Sequence, residues 1–180
     1  MENSYNFPAF SKKNNVLSLP RVKFDDCGIT VDTTIEYCQT PKGVHFIVTH
    51  INSGKLLHYS EVDNILGRNN DIILELLKQN EQLKPILVSV YDVSKISNFK
   101  LQNTLSLLFK FSKYSNQLVE EGVPMGYRGV IAIMSTEGAS ILQKVKRILP
   151  TKKKTSVLIF KTIEEAKPAL ELVRNYGLVF

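Results

Sequence analysis

Three times after residue 84, a short apolar run gives way to a stretch with helical spacing. "PILVSVYD" precedes "KLQNTLSLLFKFSKYSNQLVEEG", "RGVIAIMS" precedes "TEGASILQKVKRIL", and "TSVLIF" precedes "KTIEEAKPALELVRNYG". In the first helical stretch Leu101, Leu105, Leu108, Ser112 and Ser115 recur near the 3.6-residue period, and Gly122 is a C-terminal stop. In the second, Ile141, Leu142, Val145, Ile148 and Leu149 form a stripe that Pro150 ends. In the third, Thr162 and Glu165 make a capping box, Pro168 is expected to kink the helix or mark a later start, and Gly177 ends it. Strands alternating with helices in this way require a sheet with parallel pairs.

The first half of the chain reads differently. In "ITVDTTIEYC", Ile29, Val31, Thr33, Ile35 and Tyr37 fall on one face of a strand. "TPKG" supplies turn residues and "VHFIVTH" a partner strand, so an antiparallel hairpin is expected, followed by a turn at "INSGK". A helix starts at Ser60, with Asp63 three residues on. Gly67 and Asn69-Asn70 interrupt its pattern, which predicts one broken helix or two short ones. Residues 1 to 20 mix Asn, Ser and Lys with scattered apolar residues, and read as a flexible arm whose Tyr5, Phe7 and Phe10 are able to dock. Residues 21–180 are expected to form a single α/β domain, an N-terminal β-hairpin followed by β-α units.

With 43% hydrophobic and 22% charged residues, the chain has an ordinary globular composition. No apolar run reaches the ~18–20 residues that span a bilayer, and the N-terminus lacks the apolar core of a secretory signal. A cytoplasmic location is the expectation. Cys27 and Cys38 lack metal spacing and read as buried, reduced thiols. His45 and His50 lie five apart, on opposite faces if the strand is regular. GxSxG, HExxH, Walker and GxGxxG motifs are absent, and no nucleophile–base–orienter set can be assembled. No enzyme activity, metal or cofactor is therefore expected.

Two places invite function. Asp92, Ser94 and Ser97 follow an apolar strand, and Asp92 is expected to end it and start a turn into a helix from about Lys100. That corner, with Thr104 on the helix, is the candidate face for a protein partner, with a self-satisfied turn as the alternative. Asp25 and Asp26, Asp92, Ser135 or Thr136, and Lys161 also imitate the order of a receiver-type phosphoacceptor site, which would use Mg²⁺. The second place is the acid-free stretch 141–161. There Lys144, Arg147, Lys152, Lys153 and Lys154, with Lys146 and Lys161, offer a polyanion-binding patch for nucleic acid or anionic lipid; the alternative is a solvated face.

"ILVSVYDVSKIS", "YRGVIAIMS" and "TSVLIFKTIEEAKPAL" together resemble the STAS family of anti-sigma-factor antagonists, including its divergent Sec14-like branch of small bacterial proteins, over about residues 24 to 176. The resemblance implies a mixed sheet with helices packed mainly on one face. It also implies a non-enzymatic regulatory module of bacterial signalling, with a regulator or kinase as partner and a homo-oligomer possible. Its Sec14-like side implies, as an alternative, a domain for a lipid or small apolar ligand. The family's Asp-Ser-Ser-Gly motif is replaced here by "SNFKLQNT", so a kinase-controlled serine does not carry over by motif.

Overall fold

A computed structural model describes residues 5–8, 10, 15–24, 28–56, 61–97, 110, 113–114, 116–118, 120–121, 128–140, 143 and 156–177. Its strands are β1 (Val16–Ser18), β2 (Val22–Phe24), β3 (Ile29–Thr40), β4 (Gly43–Lys55), β5 (Ile86–Ser97), β6 (Arg128–Ile133) and β7 (Ser156–Phe160). Helix α1 spans Glu61–Gln79, and α4 spans Ile163–Tyr176. Between them lie the helical residues of α2, within 110–120, and of α3, within 136–143. The fold is α/β on one mixed, seven-stranded sheet in the order β1-β3-β4-β5-β6-β7, with β2 also paired to β3.

The hairpin forms where Pro41 and Lys42 connect Thr40 to Gly43, and its antiparallel register runs from Thr40↔Gly43 to Thr30↔Ser53. The expected turn at 51–55 does not form. β4 continues through it to Lys55, because Ser53, Gly54 and Lys55 find partners in Lys95, Ile96 and Ser97 of β5. β4, β5, β6 and β7 are mutually parallel, as the β-α alternation requires.

Side-chain parity divides the core. Ile47, Val88, Val90, Ile131 and Ile133 face α4, which covers them with Ala166, Leu170 and Val173. The opposite face carries Ile35, Phe46, Val48 and Leu87 under Ile72, Ile73 and Leu76 of α1 and Leu118 of α2. Farther along, Ile29, Val31, Val93 and Ala132 pack with Ile65 and Leu66 of α1 and Ala139 of α3. Among the described residues, three helices thus lie on one face and α4 on the other. Each fully buried aliphatic side chain contributes about 1.5–3 kcal/mol.

Two further sequence expectations change, and for Pro168 the later helix start is removed. α1 is one continuous helix through Gly67 and Asn69-Asn70. Its apolar stripe packs with Ile29 and Val31 at one end and with Ile35, Phe46 and Val48 at the other, and this tertiary packing outweighs the local preference of these residues. The described part of residues 1–20 is not a free arm. Phe7 is 8% exposed, its N–H donates to Gln79 Oε1, and Phe10 stacks on Tyr37 and meets Phe46 edge to face. Val16–Ser18 pair with Thr34–Glu36, so this segment closes the sheet edge and the seam between α1 and β3. Helix α4 runs through Pro168 from its Thr162 cap, whose hydroxyl accepts from Glu165 N–H. Pro168 sits on the exposed side, where the carbonyl it leaves unpaired can meet water.

Candidate functional site

Asp92 does not end its strand. It pairs with Ile51 of β4 and Ile133 of β6, and β5 then runs on to Ser97 along β4 alone, among the described residues. The continuation starts with a β-bulge: Val93 and Ser94 of β5 stand opposite Asn52 of β4, between the pairs Ile51↔Asp92 and Ser53↔Lys95. A bulge leaves backbone groups without ladder partners, and two side chains supply them. Asp92 Oδ1 accepts from Ser94 N–H at 2.9 Å and from Ser94 O–H at 2.6 Å. Asn52 Nδ2 donates to the Asp92 carbonyl at 3.1 Å and to the His50 carbonyl at 3.3 Å.

Asp92 itself is 7% exposed. Its carboxylate is committed to holding the bulge, which is the self-satisfied reading carried out by a strand instead of a helix-bound turn. The bulge shifts the alternation, so Val93 and Ile96 enter the core while Ser94, Lys95 and Ser97 face solvent. Ser97 O–H donates to the Gly54 carbonyl at 3.2 Å, and Leu56 N–H donates to the Ser97 carbonyl at 3.2 Å. Thr30 and Ser53 hydroxyls meet at 2.7 Å across β3 and β4. The result is a rim at the carboxyl ends of the parallel strands whose exposed hydroxyls and lysine sit on fixed backbone.

Of the other sequence candidates, Lys100, Thr104, Lys144, Arg147, Lys152, Lys153 and Lys154 lie outside the described residues, as do Asp25, Asp26 and Cys27. Ser135, Thr136 and Lys161 are exposed just past β6 and β7, at the same rim as Asp92. Ser135 caps α3, its carbonyl accepting from Ala139 N–H and its hydroxyl from Gly138 N–H. Among the described residues no three His, Cys, Asp or Glu side chains gather as metal ligands, and no helix is long and apolar enough to cross a membrane. Cys38 is buried and free, its thiol pushed up to about 12, first by burial and then by the Glu36 charge.

The sequence reading missed a polar layer under α1. His45 and His50 do lie on opposite faces and both are buried. His50 faces α1. In the sheet it forms one row with Thr33, Tyr91 and Ala132. Thr33 Oγ1 and His50 Nδ1 share a hydrogen bond at 3.2 Å, and the His50 and Tyr91 rings stack at 5.3 Å. On α1, Asn69 falls between Ile65 and Leu66 of one apolar cluster and Ile72 and Ile73 of the other. It is 0% exposed, and neither its Nδ2 nor its Oδ1 has a hydrogen-bond partner among the described residues. His50 Nε2, Asn70 Nδ2, Asn52 Oδ1 and Arg68 Nη1 are buried and unpartnered too. Burial first, and the charge of Arg68 second, push His50 down to about 3, so the ring is neutral. The available signal was the apolar stripe of α1, which places Asn69 at a core position.

Comparison with protein-family models, with curated proteins and with solved structures found no match to this chain.

Proposed function

We propose that the chain is a non-enzymatic regulatory module, acting in the cytoplasm, that binds a protein partner at the carboxyl rim of its sheet. The observation that carries this reading is the exposed row Ser94, Lys95 and Ser97 on the β5 extension, fixed by Asp92 and by the Gly54 carbonyl. A surface already ordered in the free protein loses little conformational entropy on association. Two hydroxyls and an ammonium offer the hydrogen bonds and charge that select a partner. The resemblance of "ILVSVYDVSKIS" to STAS domains supports the same corner, with the face now on a strand extension.

The test is Ser97→Asp, with Gln82→Asp as the control. Gln82 is exposed just before the amino end of β5, at the opposite end of that strand from Ser97. Both variants add one negative charge and keep the fold. Quantitative pull-down from the native cell should recover the co-purifying partner less well with Ser97→Asp and equally well with Gln82→Asp. Equal recovery with both, at an unchanged thermal midpoint, would remove the rim from the account.

A further inference from the structure

We propose that the seam between α1 and the β3–β4 hairpin binds an extended segment of a partner protein, and that residues 5–10 fill it as an internal ligand. The seam is lined at Tyr37 and Phe46, which pair near the hairpin turn, at the other end of β3 and β4 from the rim. The inference does not depend on the rim reading.

Tyr5 is half-buried, Asn6 exposed, Phe7 buried and Pro8 exposed, which is the two-residue period of an extended segment. Yet these residues belong to no strand, and their backbone is held by one side chain. Gln79 Nε2 donates to the Tyr5 carbonyl at 2.6 Å, and Gln79 Oε1 accepts from Phe7 N–H at 3.1 Å. One residue of a parallel neighbouring strand makes the same two bonds, to the carbonyl before and the N–H after the residue it faces. Glu75 Oε1 accepts from Gln79 Nε2 at 2.7 Å, which fixes the orientation of the amide. Bonds of this kind read main chain, so they do not require this chain's own residues.

The side chains supply the selectivity. Phe7 enters the apolar cluster of Ile35, Phe46, Ile73 and Leu76. The Tyr5 ring stacks on Phe7 at 6.1 Å, and the Arg68 guanidinium lies 5.9 Å from its centre. Phe10 stacks on Tyr37 at 6.0 Å and meets Phe46 edge to face at 5.3 Å. Aromatic anchors in desolvated sites carry much of the energy of protein interfaces. The seam therefore fits an extended segment with aromatic residues at its first, third and sixth positions. Residues 5–10 are tethered to it at an effective concentration in the millimolar range. An incoming segment must compete with them, so the internal ligand sets the threshold for the partner.

The probe is a synthetic peptide of residues 4–11, SYNFPAFS, added to the full chain carrying Phe7→Ala, which vacates the buried central site. The peptide should raise the thermal midpoint of that variant saturably, by about 3 °C or more at ~1 mM. It should raise the wild-type midpoint less, because the intact segment competes. The same peptide with Phe7→Ala should do nothing. Adding Gln79→Ala, at an exposed position, to the Phe7→Ala chain should weaken peptide binding about tenfold, while Lys78→Ala, also exposed, should leave it unchanged. Should the Phe7→Ala chain not fold, Tyr5→Ala, at a half-buried position, replaces it as host with the same expected order. No saturable rise, an equal rise with the alanine peptide, or binding indifferent to Gln79→Ala would each overturn the proposal. A wild-type dimer that Phe7→Ala abolishes, without any peptide response, would assign the seam to a second copy and overturn the partner reading.

Discussion

Gly54 holds the end of β4 and the start of β3 closer than any side chain allows. A Cβ at this position would lie 2.3 Å from the Gly28 carbonyl oxygen and 3.0 Å from Ile29 Cα, and the residue has φ 121°. Gly43, in the hairpin turn, has nearly the same φ of 117° with nothing within 4 Å of its virtual Cβ. The two glycines therefore separate conformational cost from contact cost. Alanine at either site pays about 1–3 kcal/mol for a backbone region that side chains avoid. At residue 54 it must also push back the start of β3, which pairs Thr30 with Ser53 and buries Ile29 completely. Losing the 2.7 Å Thr30–Ser53 bond costs about 1 kcal/mol, and partial exposure of Ile29 adds about as much. Gly54→Ala should thus exceed Gly43→Ala by about 1–3 kcal/mol, or roughly 3–10 °C in midpoint for a chain of this size. Urea unfolding of both variants measures the gap. Equal losses, within ~0.5 kcal/mol, would refute the close approach of β3 and β4 at the rim.

Leu87→Ala and Ile133→Ala should each cost about 2–4 kcal/mol in urea unfolding, since both side chains are fully buried on opposite faces of the sheet; a loss under ~0.5 kcal/mol would place them at an open edge. His50 has a folded value near 3 against 6.5 in the unfolded chain, so its contribution is complete above pH 6.5 and is lost as pH falls toward 3, by up to about 1.4 kcal/mol per unit. His50→Leu should therefore flatten the acid side of the stability profile, and an unchanged slope would contradict a neutral buried ring. Cys38, with its thiol near 12, should resist iodoacetamide at about pH 8 in the folded protein and react in urea, as peptide mapping would show; native labelling would contradict its burial.

Local pattern was a good guide where one period governed one element. The alternation from Ile29 to Tyr37 and the Pro41–Gly43 turn are the β3–β4 hairpin, and the three β-α alternations are the parallel half of the sheet. It was a poor guide where tertiary contacts overruled it. "DVSKIS" looks like a turn because the bulge puts Val93 and Ile96 three apart, which breaks the two-residue period although the strand continues. Asn69 and Asn70 look like a helix break because nothing local reveals that tertiary packing buries both on a continuous helix. The role of Phe7 and Phe10 depends on Gln79 and Tyr37, far along the chain, so residue spacing alone left them in an arm. The Asp92 corner was found by residue type, but its geometry was misjudged: the carboxylate braces a strand.

The measurement closest to the central claim is photo-crosslinking from the rim. A benzophenone amino acid is placed at Ser97, on the β5 extension, or at Lys42, in the hairpin turn at the other end of β4, and both proteins are irradiated in the native cell. The account predicts one discrete protein adduct from position 97, absent from position 42 and lost when Asp92→Ala releases Ser94. Adducts from 42 alone, or the same adducts from both positions, would contradict a partner site at the rim.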